Sequence, residues 1–307
     1  MNINKKAQTF FEDNAFQWSI RGYNYIDHNY PVALHRRRIL LKIIESNKLK
    51  KLRFLDIGCG SGDNLIEIAK LGHHVVGVDS SSKMLSLAKN RINKLSKKVR
   101  QNILLVNESI LEYHDKNLFD FCICMGVIGY IDNEIKFLKH INRLLKKNGK
   151  LIVSSRNRLF NLQSLSFRTL NEINKKKFKQ LYDEMKSYYK PLKNKSINIF
   201  LQNISNLNFK KQRNKINKIN KNIKKSYVPF TEPKQQTPME IINLSKKSNF
   251  KVSKFYGVHP HIIDPELNKM LPAKVFNQLS DALTAFEEEK VSLVWSSVFI
   301  SLLKKIK

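Results

Sequence analysis

The sequence predicts an α/β fold in which a largely parallel sheet carries helices on both faces, and three observations lead there. The segment Leu55-Asp56-Ile57-Gly58-Cys59-Gly60-Ser61-Gly62-Asp63-Asn64 joins an apolar strand to a helix through three closely spaced glycines. Glycine accepts positive φ and lets a backbone pass close to a ligand. One helix later, the run Val75-Val76-Gly77-Val78 ends in Asp79. A carboxylate at the tip of the second strand of a βαβ unit is placed to accept both hydroxyls of a ribose. Beyond it, short apolar runs and helical periodicities alternate as far as Ser155, the pattern of successive βα units.

Taken in order, residues 1–50 hold aromatic and charged positions followed by a helix over Val32–Ser46. Pro31 suits the start of that helix, and Leu34, Ile39, Leu40, Ile43 and Ile44 fall near helical spacing. This N-terminal segment is expected to lie against the nucleotide-binding core as a candidate lid, bringing Arg21, Tyr23, Tyr25 and Arg36 toward the ligands. Strands are expected at 53–57, 75–78, 103–106, 119–124 and 150–155, with helices at 64–71, 81–94 and 134–146. Lys147-Asn148-Gly149 is the turn before the last of these strands. Later, a helix over 238–248 begins beside Pro238, and Phe250–Gly257 and Leu293–Leu303 read as strands. Between Leu159 and Thr237 lies more chain than a connection needs, since structureless loops above about 15 residues are uncommon. There Ile216, Ile219 and Ile223 stand at i, i+3 and i+7 among lysines and asparagines, which marks a basic amphipathic helix.

Composition narrows the function classes. A chain of 307 residues with 42% hydrophobic content can bury one large core with an insertion. It has no apolar run of about 18 residues, the length a spanning helix needs. The start, Met1-Asn2-Ile3-Asn4-Lys5-Lys6, does not read as a signal peptide, so a cytoplasmic location is expected. Cys59, Cys122 and Cys124 show no C-x-x-C spacing, and neither a disulfide framework nor a metal site is expected. The formal charge of +31 raises the question of nucleic acid, yet only 12 of the 56 basic residues are arginine and lysine rises together with asparagine. That is the signature of an AT-rich coding bias more than of phosphate recognition, and nucleic acid is disfavoured.

The spacing within the glycine loop bears on which ligand it holds. A pyrophosphate calls for G-x-G-x-x-G with no anion in front, because backbone N–H groups at a helix N-terminus hold its charge. Here the spacing is G-x-G-x-G and Asp56 stands before it, which suits a cation. The pattern D-x-G-x-G-x-G, with an acidic residue at the next strand end, resembles class I S-adenosylmethionine-dependent methyltransferases, whose cofactor carries a sulfonium and an ammonium. The resemblance implies a Rossmann-like, seven-stranded, mostly parallel sheet with the last strand antiparallel and strands six and seven at 250–257 and 293–303. On it the chain divides into the N-terminal segment 1–50, an S-adenosylmethionine-binding core at 51–158, a basic helical insertion at 159–237 that covers the acceptor site, and a completion of the core sheet at 238–307. It places Asp56, Gly58 and Gly60 at the methionine end of the cofactor, Asp79 and Ser80 at its ribose, and Met84 against its adenine. Glu108-Ser109 occupies the place where the family usually has an aspartate facing the adenine amino group, so the longer side chain departs from the pattern. Met125 and Gly126 fall beside the methionine moiety.

Candidate catalytic residues are Tyr130, after the fourth strand, and the pair His259 and His261, after the sixth, because an imidazole with a pKa near 6.5 can take a proton near neutrality. Arg156, in Arg156-Asn157-Arg158, and Tyr23 are candidate contacts for the acceptor, Arg156 for an anionic group on it. The lysines between 210 and 225, with no acid among them, form either a solvated face or a surface that gathers an anionic acceptor or touches an anionic membrane. No N/D-P-P-Y/F/W follows the fourth strand and no Pro-Cys nucleophile is present, which disfavours common nucleic-acid base methylation. The first reading is therefore an enzyme that methylates oxygen on a small molecule or a glycan or secondary-metabolite precursor. An RNA methyltransferase and a binding protein that holds the cofactor without transfer stay open.

Overall fold

The structure, a computed structural model, describes residues 3–21, 23, 30–46, 51–188, 233–262, 265–268 and 270–306. Tyr25 and the basic helix expected around Ile216–Ile223, with the lysines of 210–225, lie outside the described residues.

Two short helices, α1 (Ile3–Asp13) and α2 (Ala15–Arg21), precede α3 (Val32–Glu45). The core follows as β1 (Arg53–Ile57), α4 (Asp63–Lys70), β2 (His74–Asp79), α5 (Ser82–Asn93), α6 (Lys97–Arg100), β3 (Ile103–Asn107), β4 (Phe119–Met125), α7 (Glu134–Leu144) and β5 (Leu145–Arg156). Then come α8 (Phe167–Asn174), α9 (Phe178–Lys186), α10 (Pro238–Lys246), β6 (Phe250–Pro260), α11 (Pro265–Asn268), α12 (Ala273–Leu283), α13 (Ser292–Trp295) and β7 (Ser296–Lys305). The seven strands run in the order β3-β2-β1-β4-β5-β7-β6, and β7 is antiparallel to both β5 and β6. The order reverses between β1 and β4, and the crevice at such a switch point is where open α/β sheets bind ligands.

Alternation along the strands feeds two cores. On β1, Leu55 and Ile57 join one cluster with Phe137, Leu138 and Ile141 of α7, while Phe54 joins the other with Ile39, Leu40 and Ile43 of α3 and Leu65 of α4. Full burial of such side chains stabilises by about 1.5–3 kcal/mol each. Local signals set the helix ends: the Ser81 side chain accepts from Met84 N–H at the start of α5, and Thr237 and Glu240 form a reciprocal capping box with Pro238 at the start of α10.

Three boundaries differ from the sequence expectation. Helix α7 stops at Leu144 and β5 starts at once; the expected turn, with Asn148 at a φ of 62°, bulges out between Leu145 and Lys150, which pair with Phe119 and Phe121. Residues 293–295 are not strand but part of the helical turn α13. Strand β6 continues through Pro260, so His259 lies in the strand and not in a loop after it. Proline is tolerated there because β6 is at the sheet edge. Among the described residues no helix is long and apolar enough to cross a membrane.

Candidate active site

The loop after β1 is shaped by its glycines. Gly58, Gly60 and Gly62 have φ of 64°, 53° and 79°, and a Cβ on Gly58 would stand 2.5 Å from Val127 Cγ2. Conformation and neighbour both demand glycine at that point. The loop is anchored to β2, since Gly58 N–H donates to Val78 O at 2.8 Å and Gly60 N–H to Asp79 Oδ2 at 2.8 Å. The other Asp79 oxygen accepts from Ser81 N–H at 2.8 Å. Two backbone donors therefore aim this carboxylate and leave it lone pairs for two hydroxyls.

Asp56 is 2% exposed, and among the described residues its Oδ2 has no hydrogen-bond partner. Burial, then Asp79, then Asp63 push its carboxyl up to about 7. Asp63 itself is matched by Arg91 at 2.7 Å. A cation beside Asp56 would restore its ionised form, so the residues present fit the ammonium of S-adenosylmethionine. Tyr23, expected at the acceptor, lies where Asp63, Asp56, Arg36 and Arg37 all act on it, with the Arg37 guanidinium over its ring at 4.9 Å. It therefore stands near Asp56 and the start of α4 as well as near Arg36. Met84 is buried with its sulfur toward Gly60. Glu108 is tied by its N–H to Asp79 O at 3.2 Å, which sets it and Ser109 beside the end of β2.

The far side of the crevice is cationic. Gly126, at the tip of β4, has a φ of 80° and donates its N–H to Ser154 Oγ at 2.8 Å; a Cβ there would meet Arg36 Nη1 at 3.0 Å. Arg36 reaches this point from α3, and its buried Nε has no hydrogen-bond partner among the described residues. Burial and then Arg156 lower its pKa to about 10. Among the described residues no carboxylate pairs with Arg36 or Arg156. The triplet at the end of β5 thus divides its work. Arg158 grips Glu172 at 2.7 and 2.9 Å and Glu240 at 2.7 Å, Asn157 donates to the Leu293 and Ser296 carbonyls, and only Arg156 acts on Arg36 and His259.

His259 is held from several sides. With a φ of 55°, it donates its N–H to His35 Nδ1 at 3.2 Å, so His35 keeps its proton on Nε2, 3.1 Å from Glu287 Oε2. The His259 ring stacks on Tyr30 at 4.7 Å and 4°, and its Nδ1 lies 2.9 Å from Ser297 Oγ. Its Nε2 is buried without a hydrogen-bond partner among the described residues. His261 is buried 4.1 Å from His259 and 4.6 Å from the Phe160 ring. Burial lowers His261 to about 4 and, with His261, His35, Arg36 and Arg156, holds His259 well below the ordinary imidazole value. The ordinary pKa expected from sequence therefore does not apply, and both rings are neutral near pH 7.

Helix α1 spans the two lips of the crevice. Glu12 accepts from Ser81 Oγ at 2.5 Å and Ser82 Oγ at 2.9 Å, Gln8 donates to Ser80 O at 3.0 Å, and Phe11 meets the buried Tyr130 ring edge-on at 5.6 Å. Sequence reasoning missed Glu12, His35 and the meeting of Arg36 with Arg156. The one available signal was Arg36-Arg37-Arg38, an arginine triplet in a chain that otherwise prefers lysine.

A glycine loop anchored on Asp79, a buried acid suited to a cation and a seven-stranded sheet with one antiparallel strand define the class. The chain belongs to the class I S-adenosylmethionine-dependent methyltransferases: the family described as "Methyltransferase domain" matches residues 48–224, more than half of it. It is 32% identical over 164 residues to a ubiquinone biosynthesis O-methyltransferase of Pelagibacter ubique, covering 51% of this chain and 67% of that one. To a ubiquinone biosynthesis O-methyltransferase of Coxiella burnetii it is 31% identical over 163 residues, covering 52% and 65%. The matches thus span about two thirds of these relatives. In fold it is similar to the magnesium protoporphyrin IX methyltransferase of Synechocystis PCC 6803, solved with S-adenosylhomocysteine, at a TM-score of 0.56 and 12% identity over 99% of this chain and all of that one. A methyltransferase of Thermotoga maritima gives 0.50 and 16% over 98% and 99%.

Proposed function

We propose that this enzyme transfers the methyl group of S-adenosylmethionine to a hydroxyl oxygen of a small molecule, a glycan or secondary-metabolite precursor. The observation that carries the reading is His259, a neutral ring fixed by Tyr30, Ser297 and His35 with Nε2 unengaged near two arginines. A hydroxyl must lose its proton as its oxygen attacks, and a positioned neutral imidazole can take it. The relatives named O-methyltransferases support oxygen as the attacked atom.

In this reading Asp56 takes the cofactor's ammonium, the backbone of Gly58 and Gly60 lies along its methionine end with Met125 and Gly126, and Arg36 takes its carboxylate. Asp79, next to Ser80, takes the ribose hydroxyls. Met84 lies on the adenine, with Glu108 and Ser109 at its edge. When bound, the cofactor supplies a methyl group activated by the sulfonium. The share of the protein is then alignment along the line of displacement, worth several kcal/mol in such reactions, and removal of the proton. Tyr130 and Tyr23 orient the acceptor, and His261 backs His259. Residues 1–50 act as the lid of this site and 51–158 as its cofactor-binding core.

Incubating the enzyme and S-adenosylmethionine with a cell metabolite extract, then searching by mass for a gain of one CH2, tests the reading. It expects the gain on oxygen, in step with release of S-adenosylhomocysteine. A gain on nitrogen or carbon, or methylated RNA with the metabolites untouched, overturns it.

A further inference from the structure

At its β4–β5 side the charges of the crevice do not balance with the cofactor alone. Asp56 and Asp79 face one side and Arg36 and Arg156 the other, while Asp63 is matched by Arg91 and the histidines are neutral. S-adenosylmethionine brings a sulfonium, an ammonium and one carboxylate, a net positive charge. The filled crevice then carries two guanidiniums at its β4–β5 side and a single carboxylate to face them. A buried guanidinium beside a second cation is costly, and Arg36 shows that cost in its lowered pKa. Arg36 sits over Gly126 at the tip of β4. Arg156 ends β5, one strand further from the glycine loop, and pairs with Val298, whose partner on the other side is Val258, the residue before His259. The cofactor's carboxylate therefore falls to Arg36, and Arg156 is left for the other substrate.

Resting on the function proposed above, we infer that the acceptor carries a carboxylate, separate from the hydroxyl that is methylated, and that Arg156 binds it beside His259. A guanidinium presents a fork of donors that matches a carboxylate in two parallel hydrogen bonds. The pair also sets distance: a carboxylate on Arg156 fixes which hydroxyl of a polyhydroxylated ring comes within reach of Nε2. Arg156 is thus a specificity-determining residue, and neutral analogues of the acceptor are excluded because they leave its charge unmatched.

The test uses the whole chain saturated with S-adenosylhomocysteine, titrated by calorimetry with benzoate and with benzamide, its neutral counterpart of similar shape. The parent complex is expected to bind benzoate at least about tenfold more tightly than benzamide, the scale of a charge-assisted hydrogen bond. Arg156→Gln should abolish that preference while S-adenosylhomocysteine affinity stays within about twofold, and Arg156→Lys should keep part of it; thermal melting confirms that each variant is folded. Equal affinity for the two probes, no benzoate binding to the loaded parent, or an intact preference in Arg156→Gln overturns the inference. So does loss of S-adenosylhomocysteine binding in folded Arg156→Gln, which would assign both arginines to the cofactor. A product from the extract that releases methanol in alkali would be an ester, showing that the carboxylate is itself the nucleophile, and would also overturn it. A parent that fails to bind S-adenosylhomocysteine would instead refute the assignment of the cofactor site, before any benzoate is added.

Discussion

The two sides of the crevice differ in charge and in how the chain assembles them. On the β1–β2 side stand Asp56, Asp63 and Asp79, two of them within eight residues of one loop and the third one helix away. Across from them, Arg36, Arg156 and His259 arrive from α3, β5 and β6. In the proposed function the acidic side meets a ligand that never changes, which suits a carboxylate locked by backbone donors, as Asp79 is. In the proposed function the opposite side meets the acceptor, and among the described residues its three key groups keep a polar atom or a charge without a hydrogen-bonding or ion-pair partner. Variants in the first side should therefore change cofactor affinity, and variants in the second should change turnover and acceptor choice.

The largest effect is expected from His259→Ala, which should cost about 10²–10⁴ in turnover with cofactor affinity preserved. Because burial keeps the His259 value well below 6.5, the acidic limb of the parent's pH profile should also lie below that value and vanish in the variant. A loss of cofactor affinity in its place would break the division between the sides. Next, Asp79→Ala should weaken S-adenosylmethionine binding by about 1.5–3 kcal/mol, the range for hydrogen bonds to a charged group, as read by calorimetry on folded protein.

The pH dependence of binding sharpens the comparison further. Asp56 is raised to about 7 in the free protein, and the cofactor's ammonium needs it ionised, so binding below that pH must first remove a proton. Affinity should fall by about tenfold per unit as pH drops below 7, and Asp56→Asn should flatten this dependence. Stability runs the other way. A raised carboxyl contributes stability that is full below its unfolded value and lost as pH rises through the folded one. Without cofactor, Asp56→Asn should therefore melt higher than the parent at pH 8. The smallest effect is expected from Glu12→Gln. Its bonds to Ser81 and Ser82 are at the surface, so losing their charge should speed cofactor dissociation only about two- to tenfold, from the 0.5–1.5 kcal/mol of a typical hydrogen bond.

What the sequence made legible follows the same division. The glycine loop, Asp79, β1–β5 and the start of α10 rest on contiguous signals, such as strand alternation, a capping box and Pro238, and these give the sheet order its first five strands. The partners of the opposite side share no local pattern: His35 and Glu287 are 252 residues apart, and nothing around either announces the other. Helices α1 and α2 escaped because Phe10, Phe11 and Trp18 pack edge to edge on one another and on Tyr130, which reads in one dimension only as an aromatic, charged stretch. The strand expected over Phe250–Gly257 runs on through Pro260 because β6 lies at the sheet edge, where a proline takes no ladder bond away, and no local pattern reveals which strand is the edge.

Strand β7 comes after all six others in the sequence yet lies between β5 and β6. It pairs Arg156 with Val298 on one side and Val258 with the same Val298 on the other, and β6 has no other neighbour in the sheet. During synthesis, β1–β5 can close on their helices and present the glycine loop while β6 is still a loose strand without a ladder. The last strand to be made is therefore the one that brings Arg156 and His259 to neighbouring positions, and it completes the face on which α3 packs.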